Sequence, residues 1–175
     1  MNYYCIYPSC IGEILLISDG EFLISLKVNE LPSKDMQESK KLDVFQKTIK
    51  WLDSYFSVQK TNEKLPLKLE GTSFQKEIWN LLLEIPYGKV LTYGEIANRI
   101  AIKRGINKMS SQAVGNAIHN NPIPIIVPCH RVVGKNNNLV GYGLGMELKI
   151  KLLELEGLNL KEYYYFEKQK KKYIK

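Results

Sequence analysis

NNPIPIIVPCHRVVG, residues 120–134, carries an apolar run that leads directly into Cys129, His130 and Arg131. Cys129 is the strongest nucleophile candidate, and it adjoins one of only two histidines in the chain. A cysteine attacks as the thiolate, and a neighbouring imidazole is a common base for producing it. The pattern therefore indicates a reactive site. The alternative is a buried structural cysteine beside a solvated His-Arg pair, since cysteine is among the most buried residue types.

Blocks of sequence on both sides of this stretch follow one another in a fixed order. They are FQKEIW (74–79), IPYGKVLTYGEIA (85–97), QAVGNAIHNNP (112–122), LVGYG (139–143) and KLLELEG (151–157). Together with PCHRVVG they resemble the O6-alkylguanine-DNA alkyltransferases, also called methylated-DNA–protein-cysteine methyltransferases. Because several blocks agree in order over about residues 72–157, the resemblance is specific.

Length and charge set broad limits on the protein. The 175 residues fit one or two small domains, and 45% hydrophobic residues is normal for a globular chain. The formal charge of +7 is compatible with a polyanionic partner such as DNA. Residues 161–175 supply +4 of it, since they hold six lysines and two glutamates. This lysine-rich tail is either a solvated terminus, which we favour, or a DNA contact.

The chain has three cysteines, and none stands in a spacing typical of metal ligands. We interpret Cys5 and Cys10 as reduced packing residues. Some relatives in the family carry a zinc site in the N-terminal domain, but no histidine precedes His119 here, so no metal is expected. The N-terminus lacks signal-peptide features, and no apolar run approaches the ~20 residues that span a bilayer. We therefore expect a cytoplasmic protein with no membrane partner.

Strand and helix signals predict an α+β fold. Apolar runs at 3–7, 13–18 and 22–28 predict strands separated by turns, and helical spacing predicts a helix from Asp43 to Phe56. Residues 59–69 are polar and suit a linker. We predict an N-terminal α/β domain at 1–68, for which the resemblance implies an RNase H-like fold, a C-terminal domain at 69–160 and a tail at 161–175.

The C-terminal domain is predicted to be mostly helical. Two capping boxes mark helix starts: Thr72-Ser73-Phe74-Gln75 and Thr92-Tyr93-Gly94-Glu95. After a basic loop, Ser110 or Ser111 caps a third helix that runs from Gln112 to His119. A final helix, about Met146 to Glu156, ends before Gly157. Helix, loop and helix in this order indicate a helix-turn-helix domain of winged-helix type.

The third helix has an apolar face and a short polar face. The polar face consists of Gln112, Gly115, Asn116 and His119. Glycine inside a helix costs about 1 kcal/mol relative to alanine, so Gly115 indicates either close approach to a partner or tight helix packing. The resemblance implies that this face enters the minor groove of double-stranded DNA, with four DNA-binding residues: Ser110, Gln112, Gly115 and Asn116.

Gln112 departs from the family pattern. In the best-known members this position is an arginine that occupies the gap left by a flipped nucleotide. Glutamine is shorter and uncharged, although it can still exchange hydrogen bonds with an orphaned base. We therefore expect base flipping to persist, with weaker or differently tuned DNA binding.

The resemblance implies DNA repair by direct alkyl transfer. Cys129 would take the alkyl group from O6-alkylguanine in DNA, and from O4-alkylthymine as an expected second substrate, in one irreversible turnover after base flipping. No cofactor is expected, because the damaged DNA supplies the methyl group. His130 would be the base, reached through a bend or a water relay; the resemblance implies the relay. Glu156 would orient His130, although a surface helix-end glutamate is equally compatible with its spacing.

The remaining site residues are implied by the resemblance alone. Asn121 would brace the active-site turn, and Tyr93 would assist the leaving base. Tyr142 and Gly143 would belong to the loop that closes over the base, and the backbone of Val132 would read the guanine edge. Double-stranded DNA containing O6-alkylguanine is the expected partner, and a monomer is the default.

Two other functions are compatible with parts of the sequence. A non-enzymatic lesion-binding protein of the alkyltransferase-like group would lack the cysteine, whereas Cys129 is present. A Cys-His hydrolase would need an oxyanion hole and recurrent turnover, and it would leave the helix-turn-helix without a purpose.

Overall fold

The computed structural model describes residues 1–59, 63–167 and 170–174. The chain divides into two compact units. The first comprises Met1–Glu70 with Pro122–Pro124, and the second comprises Gly71–Asn121 with Ile125–Lys175. The first unit combines a sheet with a helix and the second is mostly helical, which confirms the predicted α+β class.

The first unit is a four-stranded mixed sheet with one helix. Its elements are β1 (Tyr3–Ser9), β2 (Gly12–Ser18), β3 (Leu23–Val28), β4 (Gln37–Glu38) and α1 (Asp43–Phe56). The strand order is β3-β2-β1-β4, with β1–β2 and β2–β3 antiparallel and β4 parallel to β1. Helix α1 has the predicted bounds and contacts β1 and β2 through an apolar face. The sequence analysis missed β4, which is only two residues long.

A tight turn that ends at Gly12 joins β1 to β2. Gly12 has φ 112°, and a Cβ on it would lie 2.2 Å from Oδ1 of Asn29, which accepts a hydrogen bond from the Glu13 amide. Only glycine fits such a backbone without strain. Cys10 lies in this turn and is exposed, so the interpretation of Cys10 as a packing residue is wrong. Cys5 is buried, as expected.

The second unit contains four helices and two pairs of short strands among its described residues. Its elements are α2 (Ser73–Leu83), β5 (Leu91–Thr92), α3 (Tyr93–Arg104), α4 (Ser111–His119), β6 (Val132–Val133), α5 (Met146–Leu155), β7 (Tyr164–Glu167) and β8 (Lys170–Tyr173). Cys129–Arg131 form a 3-10 turn immediately before β6. Helices α2, α3 and α4 contact one another, and the buried Trp79 indole donates a 2.9 Å hydrogen bond to the Ala117 carbonyl.

The helix starts follow the sequence signals. Both predicted capping boxes are formed, with Thr72 and Thr92 as caps. Ser110, rather than Ser111, caps α4 and accepts from the Ala113 amide at 3.3 Å. Gly157 follows α5 with φ 78°, the left-handed conformation predicted for it. Local side-chain to backbone hydrogen bonds therefore position the helices of this unit.

Two segments differ from their sequence interpretation. Part of the predicted linker lies outside the described residues, at 60–62, but Leu23 donates a 2.8 Å backbone hydrogen bond to Pro66, so the end of the linker pairs with β3. The lysine-rich tail contains the antiparallel hairpin β7–β8, which the sequence analysis did not anticipate. Within the described part of the chain, no helix is both long and apolar enough to cross a membrane.

Candidate active site

A short parallel pairing brings the reactive turn to the start of α3. Leu91 pairs with Val132 and Thr92 with Val133, so β5 and β6 lie side by side. Tyr93 follows β5 as the first residue of α3, and Cys129 lies three residues before β6. Residues 36 positions apart in the chain are thus held in one place by backbone hydrogen bonds.

The turn that carries Cys129 is tightly constrained. Pro128 has φ −81° and ψ 65°, and the Cys129 amide donates to the Val127 carbonyl at 2.8 Å. These angles and this bond define an inverse γ-turn centred on the proline. The Asn121 side-chain amide donates to the same carbonyl at 2.8 Å and lies 3.0 Å from Cys129 Sγ. Asn121 therefore contacts both the turn and the thiol.

The Cys129 thiol lies in a buried polar pocket. Only 6% of the residue is exposed, and Sγ lies 3.9 Å from the Tyr142 hydroxyl. Burial raises the pKa of the thiol, against the opposing influence of hydrogen bonds with Asn121 and Tyr142 and of the positive charge of Lys149. At rest the group is therefore a protonated thiol, with donors around it that favour the thiolate.

His130, Arg131 and Glu156 form a buried cluster. The His130 ring nitrogen Nε2 lies 2.6 Å from Oε1 of Glu156. Arg131 donates to both carboxylate oxygens, at 2.8 and 3.0 Å, and to the Ile85 carbonyl at 2.6 Å. The Gly88 amide donates to Glu156 at 3.1 Å. Glu156 is therefore not a surface helix-end residue, and the buried His130 and Arg131 are not the solvated pair of the alternative interpretation.

The cluster determines the charge of each member. Burial alone would raise the pKa of Glu156, but hydrogen bonds from His130 and Arg131 outweigh it and hold this pKa at about 2. Burial lowers the pKa of His130, although Glu156 pulls it upward. His130 is therefore a neutral imidazole at neutral pH, oriented by a carboxylate and able to accept a proton.

Lys149 is a site residue that the sequence analysis missed. It is fully buried on α5, and its ammonium group donates to the Val132 carbonyl at 2.6 Å and the Leu139 carbonyl at 2.5 Å. Burial lowers its pKa to about 8, while the nearby Cys129 pulls it upward. The available signal was its helical spacing from Met146, Leu152 and Leu153, which places a lysine on an apolar face.

The predicted DNA-reading helix has the expected two faces. Val114, Ala117 and Ile118 are buried, whereas Gln112 and Asn116 are exposed. Ser110, at the N-cap, is also exposed. A Cβ added to Gly115 would lie 3.6 Å from the Tyr93 ring, which is an ordinary van der Waals distance. Packing within the unit therefore does not require glycine at position 115.

Tyr93 connects this helix to the reactive turn. Its ring is half-buried beside Gly115, and burial together with the proximity of Cys129 raises the pKa of its hydroxyl. On the other side, Gly143 approaches α4, since a Cβ on it would lie 3.7 Å from Nδ1 of His119. The segment containing Tyr142 and Gly143 thus borders both the thiol and the end of α4.

The structure therefore brings the predicted catalytic residues into one region of the second unit. Cys129, Asn121 and Tyr142 surround the thiol, with Tyr93 and Lys149 nearby, and His130 with Glu156 forms the adjoining cluster. Ser110, at the N-cap of α4, and Gln112 and Asn116, within the helix, are exposed. Among the described residues, no group of three or more His, Cys, Asp or Glu side chains is placed to hold a metal.

Comparison with known proteins identifies this arrangement. Residues 73–158 match the model of the 6-O-methylguanine DNA methyltransferase DNA binding domain, and residues 2–69 match the ribonuclease-like domain of the same proteins. The fold and the buried cysteine define a two-domain DNA repair methyltransferase. The chain belongs to the 6-O-methylguanine DNA methyltransferase family.

Individual relatives agree along most of the chain. A methylated-DNA–protein-cysteine methyltransferase from Haemophilus influenzae is 43% identical over 158 residues, covering 88% of this chain and 86% of the relative. One from Methanosarcina acetivorans is 44% identical and covers 89% and 98%, respectively. The crystal structure of Mycobacterium tuberculosis OGT in complex with DNA superposes with a TM-score of 0.77 at 39% identity, covering 88% and 92%.

Proposed function

We propose that Cys129 accepts the alkyl group of O6-alkylguanine in duplex DNA, once per protein molecule and after the base has been flipped out. The observation that carries this proposal is the position of the Cys129 thiol. The thiol is buried and lies 3.0 Å from the Asn121 side-chain amide. His130, the next residue in the chain, is paired with Glu156. A shielded thiol with an adjacent oriented base suits attack on a carbon that must be brought into the protein.

The transfer is a displacement at the alkyl carbon. The Cys129 sulfur donates an electron pair to that carbon, the carbon–O6 bond breaks, and its electron pair stays on the guanine oxygen. A proton donated to the guanine as this bond breaks neutralises the charge that develops on it and makes it a better leaving group. The product is a thioether at Cys129, which water does not readily cleave, so one protein repairs one lesion.

His130 receives the thiol proton in this scheme. The Nε2 atom of His130 faces Glu156. Nδ1 is therefore assigned as the ring nitrogen that accepts the Cys129 proton, through a bridging water. Glu156 stabilises the imidazolium that results, as the carboxylate does in a catalytic triad. Because Arg131 already pairs with both carboxylate oxygens, Glu156 remains ionised throughout.

Lys149 and Asn121 stabilise the developing thiolate. The Asn121 amide points to the sulfur, and a hydrogen bond to a charged group contributes about 1.5–3 kcal/mol. The Lys149 ammonium adds a buried positive charge that lowers the thiol pKa. Burial acts in the opposite sense, and a thiolate of higher pKa is intrinsically more nucleophilic. The pocket thus makes the thiolate energetically unfavourable in the free protein and strongly nucleophilic once it has formed.

Guanine recognition is assigned to the surrounding backbone and aromatic residues. The Val132 carbonyl already accepts from Lys149, but a carbonyl has two lone pairs, so one is available to the guanine edge. Tyr93 is assigned as donor to the departing base, and its raised pKa keeps the hydroxyl protonated. The segment with Tyr142 and Gly143 would close over the flipped base.

DNA contact is assigned to the exposed side of α4. Ser110, Gln112 and Asn116 supply short polar groups, and Gly115 lets the duplex approach the helix closely. Gln112 would occupy the space of the flipped nucleotide. All of these residues belong to one unit of one chain, which supports action as a monomer. O4-alkylthymine is proposed as a second substrate, since it offers an alkyl group on a comparable exocyclic oxygen.

The test is repair of a duplex that carries a single O6-methylguanine. We expect the methylated base to revert to guanine in an amount equal to the protein added, and Cys129→Ser to leave it unchanged. A 2-aminopurine beside the lesion should brighten on binding even with Cys129→Ser, because flipping precedes chemistry. Repair of many lesions per protein would contradict the single-turnover proposal, and repair by Cys129→Ser would contradict the assignment of the nucleophile.

A further inference from the structure

The C-terminal hairpin β7–β8 has one face packed against the protein and one face exposed. Tyr163, Tyr165 and Ile174 pack against the cluster of Val133, Leu139, Leu153 and Leu160. Leu139 and Tyr164 are joined by a 2.8 Å backbone hydrogen bond. A lysine-rich terminus that served only as a solvated tail would not need this packing, so the fold holds the hairpin in a defined place.

The exposed face combines aromatic rings with a lysine. Cross-strand register places Tyr164 opposite Tyr173 and Phe166 opposite Lys171, which puts these four side chains on one face. The Lys171 ammonium lies 3.9 Å from the Tyr164 ring centroid and 4.8 Å from that of Tyr173. Phe166 and Tyr173 are each 58% exposed. Lys170 and Lys172 alternate to the other side of β8 and are exposed there as well.

The hairpin is attached close to the reactive turn. It pairs with residues 137–139, which follow β6, the strand that begins directly after the turn of Cys129. In the same loop Lys135 approaches the start of α3, since a Cβ on Gly94 would lie 4.0 Å from its Cε. Lys149 donates to the carbonyls of both Val132 and Leu139, and the Leu139 amide donates to the Tyr164 carbonyl. These hydrogen bonds hold the hairpin close to the strand that follows Cys129.

We propose that this hairpin is a second DNA-binding element, in which the three exposed lysines of β8 contact the phosphate backbone of duplex DNA beside the lesion. Lys171 does so from the aromatic face, and Lys170 and Lys172 do so from the other side of the same strand. The proposal rests on the function proposed above, since it assigns the hairpin to the same substrate. Cation–π contacts with the two tyrosine rings restrict the Lys171 side chain before DNA binds. Less side-chain entropy is therefore lost when it contacts a phosphate. Tyrosine hydroxyls are also common phosphate donors.

Charge and area favour DNA over a protein partner. Residues 161–175 carry six lysines and two glutamates, which complements a polyanion. Phe166 and Tyr173 are only 58% exposed and Tyr164 less, so complete burial of the three rings would remove only roughly 300 Å² of hairpin surface from water. A specific protein interface of standard size buries roughly 800 Å² on each partner. The hairpin also lies beyond residues 73–158, the part matched by the family's DNA binding domain, so it adds to that domain rather than forming part of it.

The test compares the wild type with the triple variant Lys170→Ala, Lys171→Ala and Lys172→Ala. Binding to an undamaged duplex is measured from about 50 to 200 mM salt, and each lost phosphate contact should flatten the plot of log affinity against log salt by about 0.9. We expect a slope smaller by as much as about 2.7 and weaker binding. Methyl transfer at saturating DNA should be unchanged. The corresponding triple arginine variant should bind as the wild type does.

A matched control removes three exposed lysines from the first unit: Lys34→Ala, Lys41→Ala and Lys50→Ala. An equal loss of affinity in this control would mean a general charge effect and would overturn the proposal. So would a hairpin variant with wild-type slope and affinity, or one whose only change is the loss of self-association in sedimentation. If the lysine variant loses DNA affinity as expected but the wild type transfers no methyl group, the proposed function is refuted and the role of the hairpin in DNA binding is not.

Discussion

Nε2 of His130 lies 2.6 Å from Oε1 of Glu156, and neither side chain is exposed to solvent. The contact fixes the orientation of the only histidine that adjoins Cys129, so the ring presents a defined nitrogen toward the interior of the site. Arg131 shares the same carboxylate, which balances its charge inside the protein. Orientation of the base and stability of the unit therefore depend on one glutamate.

Replacing Glu156 by glutamine should destabilise the protein by about 3–5 kcal/mol, because the buried Arg131 loses its counter-charge. The pH dependence follows from the pKa, which is about 2 in the folded protein and ordinarily 4.5. A lowered carboxyl pKa contributes stability that is present above pH 4.5 and is lost as the pH falls toward 2. Urea unfolding between these pH values should show that decline in the wild type and a weaker one in Glu156→Gln.

The matched control for this change is Glu154→Gln, which alters an exposed glutamate on α5 two residues before Glu156. It should leave both the free energy of unfolding at pH 7 and its pH dependence close to those of the wild type. Equal stability of Glu154→Gln and Glu156→Gln would show that the buried cluster does not hold the unit together.

Lys149→Met should make the Cys129 thiol harder to ionise, because the buried ammonium group lowers the thiol pKa. The rate at which iodoacetamide alkylates Cys129, followed against pH, should shift to higher pH in the variant. Lys151→Met changes an exposed lysine two residues further along the same helix and should leave the profile unchanged. An unshifted profile in Lys149→Met would remove this lysine from the proposed chemistry.

The same lysine predicts a second pH effect, on stability. Its pKa is about 8 in the folded protein and ordinarily 10.5, so between these values the unfolded chain binds a proton that the folded chain has released. The free energy of unfolding should consequently rise with pH across this window. Lys149→Met should lack that rise when both proteins are unfolded in urea from pH 8 to 10.5.

Gly115→Ala should change stability and DNA binding in opposite directions. The added Cβ would make only ordinary contact with Tyr93, and alanine favours a helix interior by about 1 kcal/mol, so thermal stability should increase. If the duplex approaches α4 closely, the same methyl group should weaken binding to DNA. Denaturation and DNA titration measure the two effects. A stabilised protein with unchanged DNA affinity would mean that Gly115 does not face the duplex.

Gln112→Arg should strengthen binding to duplex DNA, since it restores the side chain that the family resemblance implies for the gap of the flipped nucleotide. The brightening of a 2-aminopurine beside the lesion should also increase. Gln37→Arg adds the same charge at an exposed position of the first unit and serves as control. A gain no larger than that of the control would indicate that Gln112 already performs this role or does not enter the duplex.

Local signals in the sequence predicted the local features of the fold. Thr72, Thr92 and Ser110 cap their helices because the amide from which each side chain accepts lies only three residues further along the chain. The faces of α4 follow from helical spacing within nine residues. The buried state of Glu156 and the part played by Arg131 could not be read in this way, because their partners lie 25 or more positions away.

The two larger omissions have the same physical origin. Lys149 resembles any surface lysine until the carbonyls of Val132 and Leu139 come together around its ammonium group. The charge of the lysine run at 170–172 predicts a solvated tail, so the β7–β8 hairpin was not predicted from the sequence. Its order comes instead from Tyr163, Tyr165 and Ile174, which pack against a core built by distant segments.

The proposed function requires that Cys129 itself retain the alkyl group. The most direct measurement is the intact mass of the protein after incubation with a duplex carrying one O6-methylguanine, followed by peptide mapping. We predict a gain of one CH2 unit per protein, as S–H becomes S–CH3, located on Cys129 and absent from Cys129→Ala. An unchanged mass while the DNA is repaired, or a methyl group on Cys5 or Cys10, would contradict the account.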